Sequence, residues 1–108
     1  MPEDEFRLLF VGDVVGRPGR TGLQALLPGL REELQPDLTV VNGENSAHGF
    51  GITARTAEEI FEAGADVITT GNHVWDQRQF ITEIETLDRV VRPANYPPGA
   101  PGKGAIEV

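Results

Sequence analysis

Residues 67–76 read VITTGNHVWD, and the order of residue types along them decides what kind of sheet the chain builds. Val67 to Thr70 are all β-branched and run without polar alternation, the pattern of a strand covered on both faces in a parallel sheet. The run stops at Gly71 and delivers an amide, an imidazole and an indole (Asn72, His73 and Trp75) to its own end, with Asp76 following. A turn explains the glycine and the asparagine. It does not call for the histidine or the tryptophan.

Two earlier segments have the same shape. Phe6–Val11 (FRLLFV) ends at Gly12-Asp13, and Leu38–Val41 (LTVV) ends at Asn42-Gly43-Glu44-Asn45. Helical patterns lie between them. Leu23, Leu26, Leu27, Leu30 and Leu34 share one helix face, but an interior proline costs about 3 kcal/mol. Pro28 therefore predicts a kink, or a stop near Leu26 and a restart. Thr56–Glu59 matches a capping box, with Thr53 as the alternative start; Ile60 and Phe61 would face inward, and Gly64 suits the stop. Asp76–Gln79 matches another capping box, which makes Asp76 a helix cap and Ile81, Ile84 and Leu87 a buried stripe. Val90-Val91 reads as a fourth strand ended by Pro93. The order β-α-β-α-β-α-β predicts an α/β fold with a mainly parallel sheet and right-handed crossover helices.

Composition bounds the function. A chain of 108 residues is expected to form a single domain that buries roughly 65% of its unfolded surface. Acidic residues outnumber basic ones by 17 to 9, giving net −8. That balance argues against a general nucleic-acid surface, which needs clustered Lys and Arg. With no cysteine, neither disulfides nor thiolate metal sites are available. The opening Met1–Glu5 is acidic where a signal peptide would be basic, and no apolar run approaches membrane-spanning length. The expected location is cytoplasmic, without a membrane partner.

In a parallel sheet the C-terminal strand ends share one edge, where ligands bind. Asp13, Glu44, Asn45, Asn72 and His73 each follow a strand by one to four residues, so the topology places them on one rim. Each alone is equally well a turn residue; Asp, Glu-Asn and Asn-His together favour a site. Two carboxylates ~4 Å apart repel by about 4 kcal/mol at an effective dielectric of ~20, a cost that a cation removes or that protonation of one carboxylate avoids. The mix of carboxylate, amide and imidazole suits Mg, Mn, Fe or Zn. GDVVGRPG lacks the order of a dinucleotide or Walker loop.

The segments LLFVGDVVGRPGR, VVNGENSAHGFGIT, VITTGNHVWDQ and VRPANYPPGAPGKG resemble the amino-terminal part of the YmdB-like metallophosphoesterases, members of the calcineurin-like superfamily described as cyclic-nucleotide phosphodiesterases. The resemblance runs from about Phe6 to Gly104. It implies the amino-terminal half of an αββα sandwich and a metal-dependent phosphoesterase with two divalent or Fe-type ions. Asp13 matches a metal-binding aspartate, Glu44 a carboxylate bridging the two metals, Asn45 a further ligand to one, and Asn72 a ligand to the second. His73 matches a histidine beside the substrate phosphate, the catalytic position. A small phosphoester, with a cyclic nucleotide as the leading class, is the implied substrate.

Other positions have plainer readings. Trp75 could stack on a base, but packing is the commoner use of an aromatic after a turn. SAHGFGIT could form a lid, with Phe50 touching substrate. The family pattern favours a small residue where His48 stands, so His48 is not assigned to the metals. NYPPGAPGKG reads as a rigid connecting loop, and GAIEV as a strand beginning. Family members are roughly twice this length and supply three further histidines from their later half; this chain has only His48 and His73. The expectation is a single, partial domain over residues 1–108, an under-coordinated dinuclear centre, and weak activity alone. It would pair with the missing carboxy-terminal half or form a homo-oligomer. The alternative is a non-catalytic α/β module that works through protein association with weak metal or phosphate binding.

Overall fold

The computed structural model describes residues 5–108; the first four residues of the acidic opening, Met1–Asp4, lie outside them. Three short strands form one parallel sheet in the order β1 (Leu8–Val11), β2 (Leu38–Asn42), β3 (Val67–Thr69). Leu8 stands opposite Leu38 and Val11 opposite Val41; Val41 stands opposite Ile68 and Asn42 opposite Thr69. The last residues of all three strands therefore end on one edge, as the sequence predicts.

Two helices return the chain between strands: α1 (Gly16–Leu34) and α2 (Ala54–Ala63). Leu23 and Leu27 of α1, and Ala57, Ile60 and Ala63 of α2, join Val41 and Ile68 in one buried cluster, with Leu9, Val11 and Phe61 packed against it. Side chains alternate across a strand, so Leu8 and Phe10 point the other way. They are 59% and 57% exposed. Here the structure corrects the sequence reading: β1 is covered on one face only, and its apolar outer face lies open among the described residues.

Pro28 neither stops nor restarts α1, which is continuous through it. A proline lacks the N–H that would reach the carbonyl four residues back, here that of Gln24. Both residues are exposed, so water can satisfy the freed carbonyl. The leucine stripe is only partly covered: Leu26 is 67% exposed while Leu27 is buried. For α2 the start is Thr53, whose side chain accepts from the Thr56 N–H while the Thr56 hydroxyl accepts from the Thr53 N–H. Gly64 ends it, with φ 128° and its N–H bonded back to Ile60 and Phe61.

After β3 the segment is less regular than predicted. Asp76 does not cap a helix: α3 is only Phe80–Glu83, followed by a 3-10 turn at Ile84–Thr86. Phe80 and Ile84 fill the core while Ile81 is exposed, so the buried stripe starts at Phe80. The fourth strand is reduced to two parallel bridges, Ile68 to Val90 and Val91 to Lys103. The closing GAIEV is not a strand, since only Lys103 finds a ladder partner. No helix among the described residues is long and apolar enough to cross a membrane.

His48 has φ 53°. The left-handed region costs a non-glycine residue roughly 1–2 kcal/mol, a physical reason for a small residue at this position. Substituting glycine (His48→Gly) is expected to raise unfolding stability by about 0.5–1 kcal/mol, allowing for glycine's greater unfolded-state entropy. Chemical denaturation would check this, and a lowered midpoint would contradict it.

Candidate functional site

The rim is built by three loops that leave the sheet at its C-terminal edge and are tied to one another by hydrogen bonds. The Asn45 side-chain amide donates to Asp13 Oδ1 at 2.9 Å, joining the loop after β2 to the loop after β1. Backbone bonds reinforce that joint: Val14 N–H to Asn42 O (3.1 Å) and Gly16 N–H to Asn45 O (2.9 Å). Glu44 reaches the other way. Its Oε2 accepts the His73 backbone N–H at 3.1 Å and its Oε1 accepts Asn42 Nδ2 at 3.2 Å. Glu44 is thus the centre of the rim, its carboxylate held from both sides.

Gly71 permits this approach. A Cβ at that position would collide with both carboxylate oxygens of Glu44 where they now stand, so any side chain there would force the carboxylate to move. The glycine that looks like turn punctuation in VITTGNH is therefore a packing requirement of the acidic group. Substituting alanine (Gly71→Ala) is expected to displace Glu44 and, under the metal-site reading proposed below, to weaken Mn²⁺ binding at the rim by at least ~10-fold, the scale of perturbed ligand geometry. Titration calorimetry reads the loss; unchanged affinity would contradict it.

The structure thus brings Asp13 to Asn45, and Glu44 to the backbone of His73; Asn72 is exposed at the same strand end and makes no side-chain hydrogen bond among the described residues. His73 Nδ1 lies 2.6 Å from Asp76 Oδ2. Trp75 is partly buried, with its ring centroid 6.4 Å from that of Phe80: it packs the turn onto the core. The loop carrying Phe50 is closed by Ala47 N–H to Gly51 O and by Phe50 N–H to Ala47 O, and Gln77 Nε2 donates to Phe50 O. Phe50 itself is 53% exposed. His48 lines a separate polar cavity of ≈980 Å³, together with Arg17, Arg20 and Arg55.

Sequence reasoning missed Asn42 and Gly71 as parts of the site. Asn42 lies two residues before Glu44, and that spacing was the available signal, since i and i+2 share a face when a strand runs on. Its Oδ1 is buried and has no hydrogen-bond partner, an oxygen acceptor left open beside Glu44. The donor set of carboxylate and amide oxygens is the hard type that divalent cations take. It fits a metal in part only: no three His, Cys, Asp or Glu side chains among the described residues converge to hold an ion.

Comparison with known proteins gives this geometry a class. The fold superposes on a crystal structure named as that of a novel phosphatase from Mycoplasma pneumoniae, with TM-score 0.86 and 34% identity over 94% of this chain. It matches that of a hypothetical protein from Thermus thermophilus with TM-score 0.85 and 44% identity over 95%. The architecture is that of an α/β phosphatase-type fold, and this chain covers 37% of the first of those chains and 40% of the second. Residues 9–108 match the family described as YmdB-like protein, and the chain belongs to it. It is 47% identical over 102 residues to the 2′,3′-cyclic-nucleotide 2′-phosphodiesterase of Bacillus subtilis (strain 168). The chain spans 39% of the length of that curated relative.

Proposed function

We propose that this chain is the amino-terminal part of a metal-dependent phosphoesterase that hydrolyses a phosphodiester, with a 2′,3′-cyclic nucleotide as the substrate class. The observation that carries the reading is Glu44, held between Asn42 and the His73 backbone on a rim shared with Asp13. Membership of the YmdB-like family and the name of the Bacillus subtilis relative support it.

In this reading Asp13, Glu44, Asn45 and Asn72 are the chain's contribution to a centre of two divalent or Fe-type ions. Bound metal would polarise the phosphoryl oxygens and activate water for in-line attack. The chain's own residues orient the site. Asn42 and the His73 N–H fix the direction of the Glu44 carboxylate, and Asn45 fixes Asp13. His73 stands beside the phosphate, where it protonates the leaving oxygen or stabilises its developing charge. The remaining ligands would come from the part of the relative's length that this chain does not span. The protein is taken to act in the cytoplasm.

The test is a chimera in which this chain replaces the matched 102 residues of the Bacillus subtilis relative. With Mn²⁺ it should hydrolyse a 2′,3′-cyclic nucleotide, while the 108-residue chain alone should turn over little or none. A folded chimera with no activity toward any phosphodiester would sink the reading and favour a binding module.

A further inference from the structure

We propose that Asp76 is the positioning residue for His73, fixing which ring nitrogen faces the reacting phosphate; the catalytic half of this statement rests on the phosphoesterase reading above. Asp76 follows His73 by three residues, and its Oδ2 is 2.6 Å from His73 Nδ1. It has no helix to cap, because the next helix begins at Phe80 and the capping position there is Gln79. The carboxylate is therefore free for the imidazole.

An exposed pair at i, i+3 is ordinarily worth little to stability, and these side chains are 44% and 34% exposed. What matters here is geometry, because both ends of the pair are fixed from below. The His73 N–H is bonded to Glu44, and the Asp76 N–H to His73 O at 3.1 Å. Between them Val74 is fully buried and Trp75 packs near Phe80. Behind Asp76, Gln77 is tied to Phe50 O, and Gly51 lies so close that a Cβ there would be 3.1 Å from Asp76 Cβ. Neither backbone can turn away without breaking the rim.

An ionised carboxylate only accepts hydrogen bonds, so Nδ1 of a neutral His73 carries the proton and donates it to Asp76. Nε2 is then the bare nitrogen of the neutral ring and points away from the carboxylate. It is the nitrogen that takes the second proton, so that in the imidazolium Nε2–H is the donor available to the leaving oxygen while Nδ1–H stays on Asp76. The hydrogen bond made by one ring nitrogen sets the state of the other, and removing such a partner from a site histidine typically costs roughly 10–100-fold. Asp76 is not among the residues assigned to metal or substrate. It acts through His73.

Ring ¹⁵N NMR of this chain with its imidazoles neutral tests the geometry without reference to activity. In the wild type, His73 should show a protonated Nδ1 and a bare Nε2. In Asp76→Ala and in the isosteric Asp76→Asn the Nδ1–H population should fall, and in Asp76→Glu it should partly return. Identical ring shifts in wild type and Asp76→Ala would overturn the proposal. In the chimera, Asp76→Asn should lower kcat by roughly 10–100-fold with KM little changed. A raised KM at unchanged kcat would overturn the catalytic half. A chimera inactive even with Asp76 intact, beside the expected NMR signature, would refute the phosphoesterase reading and leave the positioning of His73 standing.

Discussion

Alanine at Glu44 is expected to abolish Mn²⁺ binding at the rim and to reduce phosphodiester hydrolysis by the chimera at least ~10³-fold, a loss of about 4 kcal/mol of transition-state stabilisation. Glu44 accepts from Asn42 Nδ2 on one side and from the His73 N–H on the other, and no other acidic side chain among the described residues makes these contacts. Removing it takes one of two rim carboxylates away, so half of the charge facing a cation is lost. It also leaves the His73 N–H without its acceptor, and an unsatisfied donor costs about 1–3 kcal/mol. Both losses act on the same site. Glu44→Gln separates them, since it keeps an oxygen for His73 and removes the charge: folding should be near normal while metal affinity stays low. Full metal binding by Glu44→Ala would remove Glu44 from the site.

The second large effect is on the reaction itself. His73→Ala in the chimera should lower kcat by roughly 10²–10⁴-fold, the usual worth of a positioned acid or base, with metal affinity changed little. The imidazole is not among the metal donors in this reading, and the contact to Glu44 is made by the His73 backbone, which alanine retains. Metal content and rate should therefore part company in His73→Ala and fall together in Glu44→Ala. An undiminished kcat would show that His73 takes no part in the chemistry.

The rim was legible because its residues sit at strand ends, and the strands announce themselves as short β-branched or apolar runs with no alternation. VITT, LTVV and FRLLFV each end where a turn with polar residues begins, and parallel pairing does the rest. What the sequence could not show depends on tertiary surroundings. Pro28 is tolerated inside α1 because Gln24, whose carbonyl it leaves free, is exposed to water. Asp76 matches a capping box, but burial of Phe80 moves the helix start and leaves the carboxylate to His73. Leu8 and Phe10 look like core residues in a one-letter string, and only the sheet with its helices on one side shows them uncovered. Gly71 could not be told from turn glycine until the Glu44 carboxylate was seen against it.

The most direct measurement is the position of Mn²⁺ in crystals of the chimera, read from anomalous scattering. The expected result is a peak within ~2.5 Å of carboxylate oxygens of both Asp13 and Glu44, and a second beside Glu44 and Asn72. Peaks placed elsewhere, or a rim with no metal at saturating Mn²⁺, would contradict it.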